Sequence, residues 1–208
     1  MNFPILRRAT SLALFASTTA LSACNSSTPE PTVFVTSYIQ PSGAGTVCDY
    51  QSQAPWIGIG APTGNDPAVV ANGGNQGGGE GVTVGCTVRP DGSGFDVSLN
   101  ASLGGHGSIT ITSLAGHVVN PSTGGTVEGT FQSANMGTWS SETCVITYQY
   151  QGGPVPRTPP IAAGRIWAHV SCPQAERSDG ELRGLPDGGM GLATCDTEAD
   201  FLFEYCDQ

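Results

Sequence analysis

Phe95-Asp96-Val97-Ser98-Leu99-Asn100-Ala101-Ser102-Leu103 decides the fold class. Apolar and polar residues alternate along it without a break. Successive strand side chains point to opposite faces, so this stretch buries one face and wets the other. Just upstream, Val82, Val84, Cys86 and Val88 alternate with Thr83, Gly85, Thr87 and Arg89. Between the two runs stands Pro90-Asp91-Gly92-Ser93-Gly94, a turn in which Pro presets φ and Gly admits φ > 0. Downstream, Gly104-Gly105-His106-Gly107 reverses the chain into 108–112, where Ile109 and Ile111 point inward. The same period marks 33–39, 46–50, 126–132, 143–150, 165–172 and 199–205, and no segment shows the period of an amphipathic helix. About nine short strands with one-sided alternation predict an all-β fold: an antiparallel β-sandwich, with a β-barrel as the alternative. Three connections stand out. Residues 72–81 (NGGNQGGGEG) read as a flexible loop without packing capacity, 152–160 (GGPVPRTPP) as an extended link, and 172–195 as a long Gly-, Pro- and charge-rich connection.

The N-terminus reads differently. Arg7 and Arg8 precede an apolar run, Leu12-Ala13-Leu14-Phe15-Ala16, followed by small residues. This is the pattern of a secretory signal, and the run is too short and too interrupted by Ser and Thr to span a bilayer. Leu21-Ser22-Ala23-Cys24 resembles the lipobox of bacterial lipoprotein precursors. The resemblance implies cleavage before Cys24 and acylation of that cysteine by palmitate-type chains on sulfur and then nitrogen. Each buried methylene contributes about 0.8 kcal/mol, so two or three chains give a stable membrane anchor. The expected organisation is a signal peptide over 1–23, a lipidated tether over 24–32 and one all-β domain over 33–208. Asn25, rather than Asp, after the lipidated residue favours the outer over the inner membrane of the cell envelope.

Composition agrees with export. Removing Arg7 and Arg8 with the signal leaves five Arg and no Lys against 17 Asp and Glu, a formal charge of −12. A chain this acidic, with its few arginines scattered, has no basic cluster with which to meet nucleic-acid phosphates. Setting Cys24 aside leaves Cys48, Cys86, Cys144, Cys172, Cys195 and Cys206. An even number in an exported chain predicts disulfide bonds, and no close Cys-x-x-Cys pair suggests zinc.

Strand register selects one pairing. Cys144, Ile146 and Tyr148 share a face of one strand, and Cys172, Val170 and Ala168 share a face of another. Placing Cys144 opposite Cys172 pairs Ile146 with Val170 and Tyr148 with Ala168, and a slip by one residue breaks this match. Cys195 and Cys206 do not pair with each other if 199–205 is extended. Eleven strand steps of about 3.3 Å far exceed the roughly 7 Å Cα limit. They pair with Cys48 and Cys86, or else the set is Cys48–Cys86, Cys172–Cys195 and Cys144–Cys206.

Catalytic chemistry is poorly supplied. No Gly-x-Ser-x-Gly elbow is present, and His106 and His117 lie at turns. Asp91 to Asp96 resembles an oxygen-rich calcium loop but lacks its bidentate Glu, and a hairpin turn explains it. Asp196, Glu198, Asp200 and Glu204 alternate along one strand and read as a solvated face that blunts a sheet edge rather than as an ion site. No metal and no cofactor is expected. Trp167 and His169 share the face opposite Cys172, with Thr147 and Gln149 across from them. A Trp among polar neighbours can stack on a sugar ring, which makes these two the candidate ligand-binding residues; packing of Trp167 under 152–160 is the competing reading.

Residues 81–88 (GVTVGCTV), 133–137 with Cys144, 161–172 (IAAGRIWAHVSC) and 195–206 (CDTEADFLFEYC) resemble uncharacterised secreted lipoproteins of myxobacteria and similar bacteria. That resemblance implies a cell-envelope lipoprotein and no activity. The chain reads as a non-enzymatic binding or structural module held at the membrane through Cys24, with a glycan or a protein as its partner class. A carbohydrate-binding domain using an exposed Trp and an envelope hydrolase with an unrecognised site are the alternatives.

Overall fold

The structure is a computed structural model that describes residues 28–42, 48, 50, 54–76, 80–104, 107–112, 118, 125–133, 137–178, 182–184 and 188–208. Among the described residues every regular element is a strand. They are β1 (Thr32–Pro41), β2 (Ala54–Ile59), β3 (Val70–Ala71), β4 (Asn75–Gln76), β5 (Glu80–Asp91), β6 (Gly94–Leu103), β7 (Gly107–Thr112), β8 (Gly125–Ser133), β9 (Gly137–Thr147), β10 (Gln149–Tyr150), β11 (Gly153–Pro154), β12 (Ile161–Ala162), β13 (Arg165–Arg177), β14 (Leu182–Gly184), β15 (Met190–Leu192) and β16 (Thr194–Glu204). The antiparallel all-β class expected from the alternation is therefore the fold. The expected segment 46–50 lies mostly outside the described residues, and its described members Cys48 and Tyr50 are irregular. The signal peptide and Cys24 also lie outside them.

The strands pack face to face in the sandwich-like manner expected, most of them within one continuous sheet, while β10–β11 and β14–β15 form separate two-stranded ribbons. One 12-stranded sheet runs β2-β1-β16-β13-β9-β8-β7-β6-β5-β4, with β3 and β12 paired at its side. It folds over a common core and is not closed into a barrel. Val84, Cys86, Leu99 and Ala101 from β5 and β6 are buried in one cluster with Val33, Val35, Ala168, Val170, Phe201 and Phe203 from β1, β13 and β16. The alternation that defined 95–103 is realised as written: Val97, Leu99, Ala101 and Leu103 are buried, while Ser98 and Asn100 are exposed.

Two bulges let long strands serve two cores. In β13 the inward positions are Ile166, Ala168, Val170 and Cys172, then Ala175, because Pro173 and Gln174 insert a bulge and Gln174 adopts φ 53°. In β9 the inward positions change from Trp139 to Cys144 and Ile146. Extra residues of this kind rotate the remainder of a strand. Beyond the bulges Trp139, Ala175, Ile39, Ala193 and Cys195 form a second cluster capped by Cys48 and Tyr50.

The disulfides are Cys48–Cys195, Cys86–Cys206 and Cys144–Cys172. The pairing argued from register is present, with Val170 opposite Ile146 and Ser171 opposite Val145. Cys195 and Cys206 bond to Cys48 and Cys86, so the competing set does not occur.

Segment 72–81 corrects a sequence expectation. It is not an idle loop: β4 pairs with the start of β5, Asn72 Oδ1 accepts from Val84 N, and Gln76 reaches across to β2. The Gln76 side chain donates to Gly58 O and accepts from Gly60 N, both at 2.8 Å. A single amide thus satisfies two backbone groups on the free edge of β2, as one residue of a neighbouring strand would.

Candidate functional site

The outer face of β1, β16 and β13 carries the candidate site. Register sets its rows. Thr36, Asp200, His169 and Thr147 lie side by side, and the next row holds Tyr38, Glu198 and Ser171. Alternation fixes which residues face out: Ala199, Phe201, Ala168 and Val170 are buried in the core, so Asp200 and His169 point away from it.

Each carboxylate of the acidic strand has its own partner. Asp196 Oδ1 accepts from Ser42 Oγ at 2.7 Å and from the Gln174 backbone N at 2.8 Å, which ties the β13 bulge in place. Glu198 Oε1 accepts from Gln40 Nε2 at 3.1 Å. Asp200 Oδ1 accepts from His169 Nδ1 at 3.1 Å. Glu204 pairs with Arg157. β16 lies between β1 and β13, so the acidic row does not blunt an edge, as the sequence had suggested. No group of three metal-binding side chains converges among the described residues. The calcium-like stretch 91–96 is the β5–β6 hairpin, with Asp91 opposite Gly94 and Arg89 opposite Asp96.

His169 and Asp200 are partly covered, with side chains 26% and 17% exposed. A carboxylate only accepts, so the proton sits on Nδ1 and Nε2 is left facing outward from this bond. The hydrogen bond to Asp200 raises the His169 pKa, burial lowers it, and the charges of Asp200 and Glu198 add to the rise. Beside this pair runs a groove of about 430 Å³, floored by Tyr38, Glu198, Asp200 and His169 and walled by Gln149 and Gln151. The wall is the turn between β10 and β11, where Gln151 and Gly152 adopt φ 50° and 76°. Among the described residues, Tyr38 Oη, the Gln149 side-chain amide and the second oxygens of Glu198 and Asp200 have no hydrogen-bond partner. Ser171 is one row from His169, but no hydrogen bond joins them.

Trp167 corrects the other half of the expected ligand pair. It shares the outer face with His169 yet is fully buried, in a third cluster with Phe34, Tyr150 and Leu202. Tyr150 packs on it edge-on with ring centroids 5.1 Å apart. Residues 152–160 form the cover: Val155 packs on the cluster and the Arg157 guanidinium lies 5.8 Å from the Trp167 ring centroid. The competing packing under 152–160 is what occurs, and no sugar reaches this ring in the structure described. Trp139 is buried as well, in the first half of β9. His106 and His117 lie outside the described residues, and the side chain of Trp56 does too.

Sequence reasoning named His169 and its partner row but missed Tyr38 and Gln151. Tyr38 falls within the alternating segment 33–39, but nothing in the local sequence announces that β1 lies two strands from β13. A second polar concavity, lined by Glu128, Glu142, Glu176 and Gln174, sits over the two bulges. Its glutamates do not converge on a metal-binding geometry. No known protein family, curated protein or solved structure matches the chain.

Proposed function

We propose that the chain is a bacterial lipoprotein precursor whose product is held in the cell envelope, at the outer rather than the inner membrane, by acyl chains on Cys24. It displays the all-β domain there as a non-enzymatic binding or structural module. The observation that carries this reading is Leu21-Ser22-Ala23-Cys24 behind a basic start and a short apolar run. Three disulfides that use every other cysteine support an oxidising compartment. The site supports binding over catalysis. His169 is oriented by Asp200, but among the described residues no hydroxyl is hydrogen-bonded to it, and the paired cysteines offer no thiolate.

The test is metabolic labelling with a palmitate analogue in a bacterial host that processes lipoproteins. The wild-type chain takes the label and fractionates with membranes; Cys24→Ala takes none and leaves them. Label or firm membrane association in Cys24→Ala overturns the reading. The absence of lysine sharpens the test. A fully N-acylated product has no primary amine and stays blank with an amine-reactive dye, whereas a product cleaved as an ordinary signal peptide labels once, at its new N-terminus.

A further inference from the structure

We infer that the groove beside His169 is a saccharide site, selective for sugar units without acidic groups. The inference rests on the domain being a binding module and relocates the ligand face from the buried Trp167 to a neighbouring row of the same sheet.

The argument is chemical. The groove offers two carboxylates, each with one oxygen already held by a protein donor, Glu198 by Gln40 and Asp200 by His169. Those bonds fix the carboxylates and leave their second oxygens free among the described residues. A fixed carboxylate oxygen is an acceptor for sugar hydroxyls, and charge-assisted bonds of this kind are the stronger ones. Gln149 and Gln151 at the wall add primary amides, which donate and accept in equal measure. Tyr38 contributes a half-buried ring at the floor, a surface for the apolar C–H face of a pyranose. About 430 Å³ matches the lower range of small-molecule sites.

Selectivity follows from charge. Two ionised carboxylates against one imidazole leave the floor with a charge of −2 or −1, negative whether the imidazole is neutral or protonated. No arginine lines it among the described residues; Arg157 pairs with Asp66 and Glu204, and Arg165 donates to Pro159 O. A uronate or sulfate in this groove would meet like charge without a compensating cation. Neutral sugars lose nothing there, and an amine-bearing sugar gains a partner for its ammonium.

The experiment is a glycan array probed with the full-length, detergent-extracted protein. The expected result is signal on neutral or amine-bearing glycans, none on uronate-rich or sulfated ones, and at least a tenfold weaker apparent affinity in Tyr38→Ala. Gln149→Ala and Gln151→Ala, with exposed side chains on the β10–β11 hairpin outside the main sheet, weaken binding while moving the thermal midpoint little, since the one side-chain bond lost is that of Gln151 to Tyr150 Oη. They keep the test valid if Tyr38→Ala unfolds. No glycan signal, a preference for acidic glycans, or binding that survives both glutamine variants overturns the assignment. These outcomes are independent of acylation at Cys24, which the palmitate label reads separately.

Discussion

Gly129 shows how one residue can be fixed by a disulfide that it does not belong to. It points inward between Val127 and Phe131 on β8, over the Cys144–Cys172 bridge. A Cβ there would stand 2.6 Å from Cys144 Sγ and 2.9 Å from Cys172 Sγ. A cystine tied to two strands cannot step aside as a free side-chain end can. Overpacking of this kind costs about 1–3 kcal/mol, so Gly129→Ala lowers the urea midpoint by that equivalent; an unchanged midpoint would show that the bridge yields. Tyr148 makes the opposite case. Its hydroxyl is buried without a partner among the described residues, and burial pushes its pKa up to about 12. Removing an unpaired buried hydroxyl removes a penalty, so Tyr148→Phe is neutral or stabilising by up to about 1 kcal/mol in the same melt. His169 gives a pH dependence. Its folded pKa is raised above the ordinary 6.5, chiefly by Asp200, so its contribution is complete below that value and fades as pH rises through the folded pKa. Glu198 and Asp200 on β16 and Tyr38 on β1 are the titratable groups facing it. The stability gap between wild type and His169→Gln therefore shrinks on going from pH 6 to alkaline pH; a gap that widens would reverse the assigned sign.

At the scale of elements, the segment 151–160 acts as a strap across the outer face. Val155 covers the Phe34–Tyr150–Trp167–Leu202 cluster, Pro160 O accepts from Trp167 N, and Arg157 joins Asp66 and Glu204 while lying over the indole. Arg157 and Asp66 are well exposed, so their ion pair contributes little; the cation–π contact and the covered Glu204 add more. Arg157→Ala should cost about 1 kcal/mol and raise acrylamide quenching of tryptophan emission as the strap loosens. Quenching unchanged from wild type would mean that Val155 and the prolines hold the strap unaided. The strap also marks the limit of what the sequence discloses. Period two located β5, β6, β8 and β13 and even the Cys144–Cys172 register, because burial on one face writes itself into alternation. It missed β2, whose Ala-Pro-Trp-Ile-Gly-Ile carries Pro and Gly against strand propensity, and the first half of β9, whose only inward apolar residue is Trp139. Extra residues at Glu142–Thr143 in β9 and between Pro55 and Gly58 in β2 reset the phase there and hid these extensions. Burial of Trp167 was only half legible: the neighbouring 152–160 offered itself as a cover, but its cluster partners Phe34 and Leu202 come from distant parts of the chain.

For the whole molecule, the critical feature is the seam where a sheet that does not close must still hide its edges. β5 is the exposed side of a long strand, and an unprotected edge of that length would template association. Its first half is covered by 72–76: Gly73 N donates to Val82 O and Val82 N to Gly74 O. Its second half is covered by the C-terminal residues, which run parallel to it. Asp207 N donates to Cys86 O, Val88 N to Asp207 O, and Gly164 N to Val88 O. The Cys86–Cys206 bond locks this short parallel piece in place and closes a loop of sequence separation 120. A loop that long corresponds to a stabilisation of about 2–5 kcal/mol. The double variant Cys86→Ser/Cys206→Ser should therefore lose stability on that order, and its deficit should exceed the thermodynamic one in practice. Once residues 206–208 peel away, the Cys86 and Val88 backbone groups face water on an open strand edge. Light scattering of that variant at rising concentration should show association that the wild type lacks, at temperatures below its own melting midpoint. Loss of stability without association would mean that the Gly164 turn alone keeps the edge closed. Gly164 N already donates to Val88 O and Gly164 O accepts from Cys206 N, so adding Gly164→Ala, at φ 74° with Cys206 O 3.1 Å from the new Cβ, would then be the change that releases it.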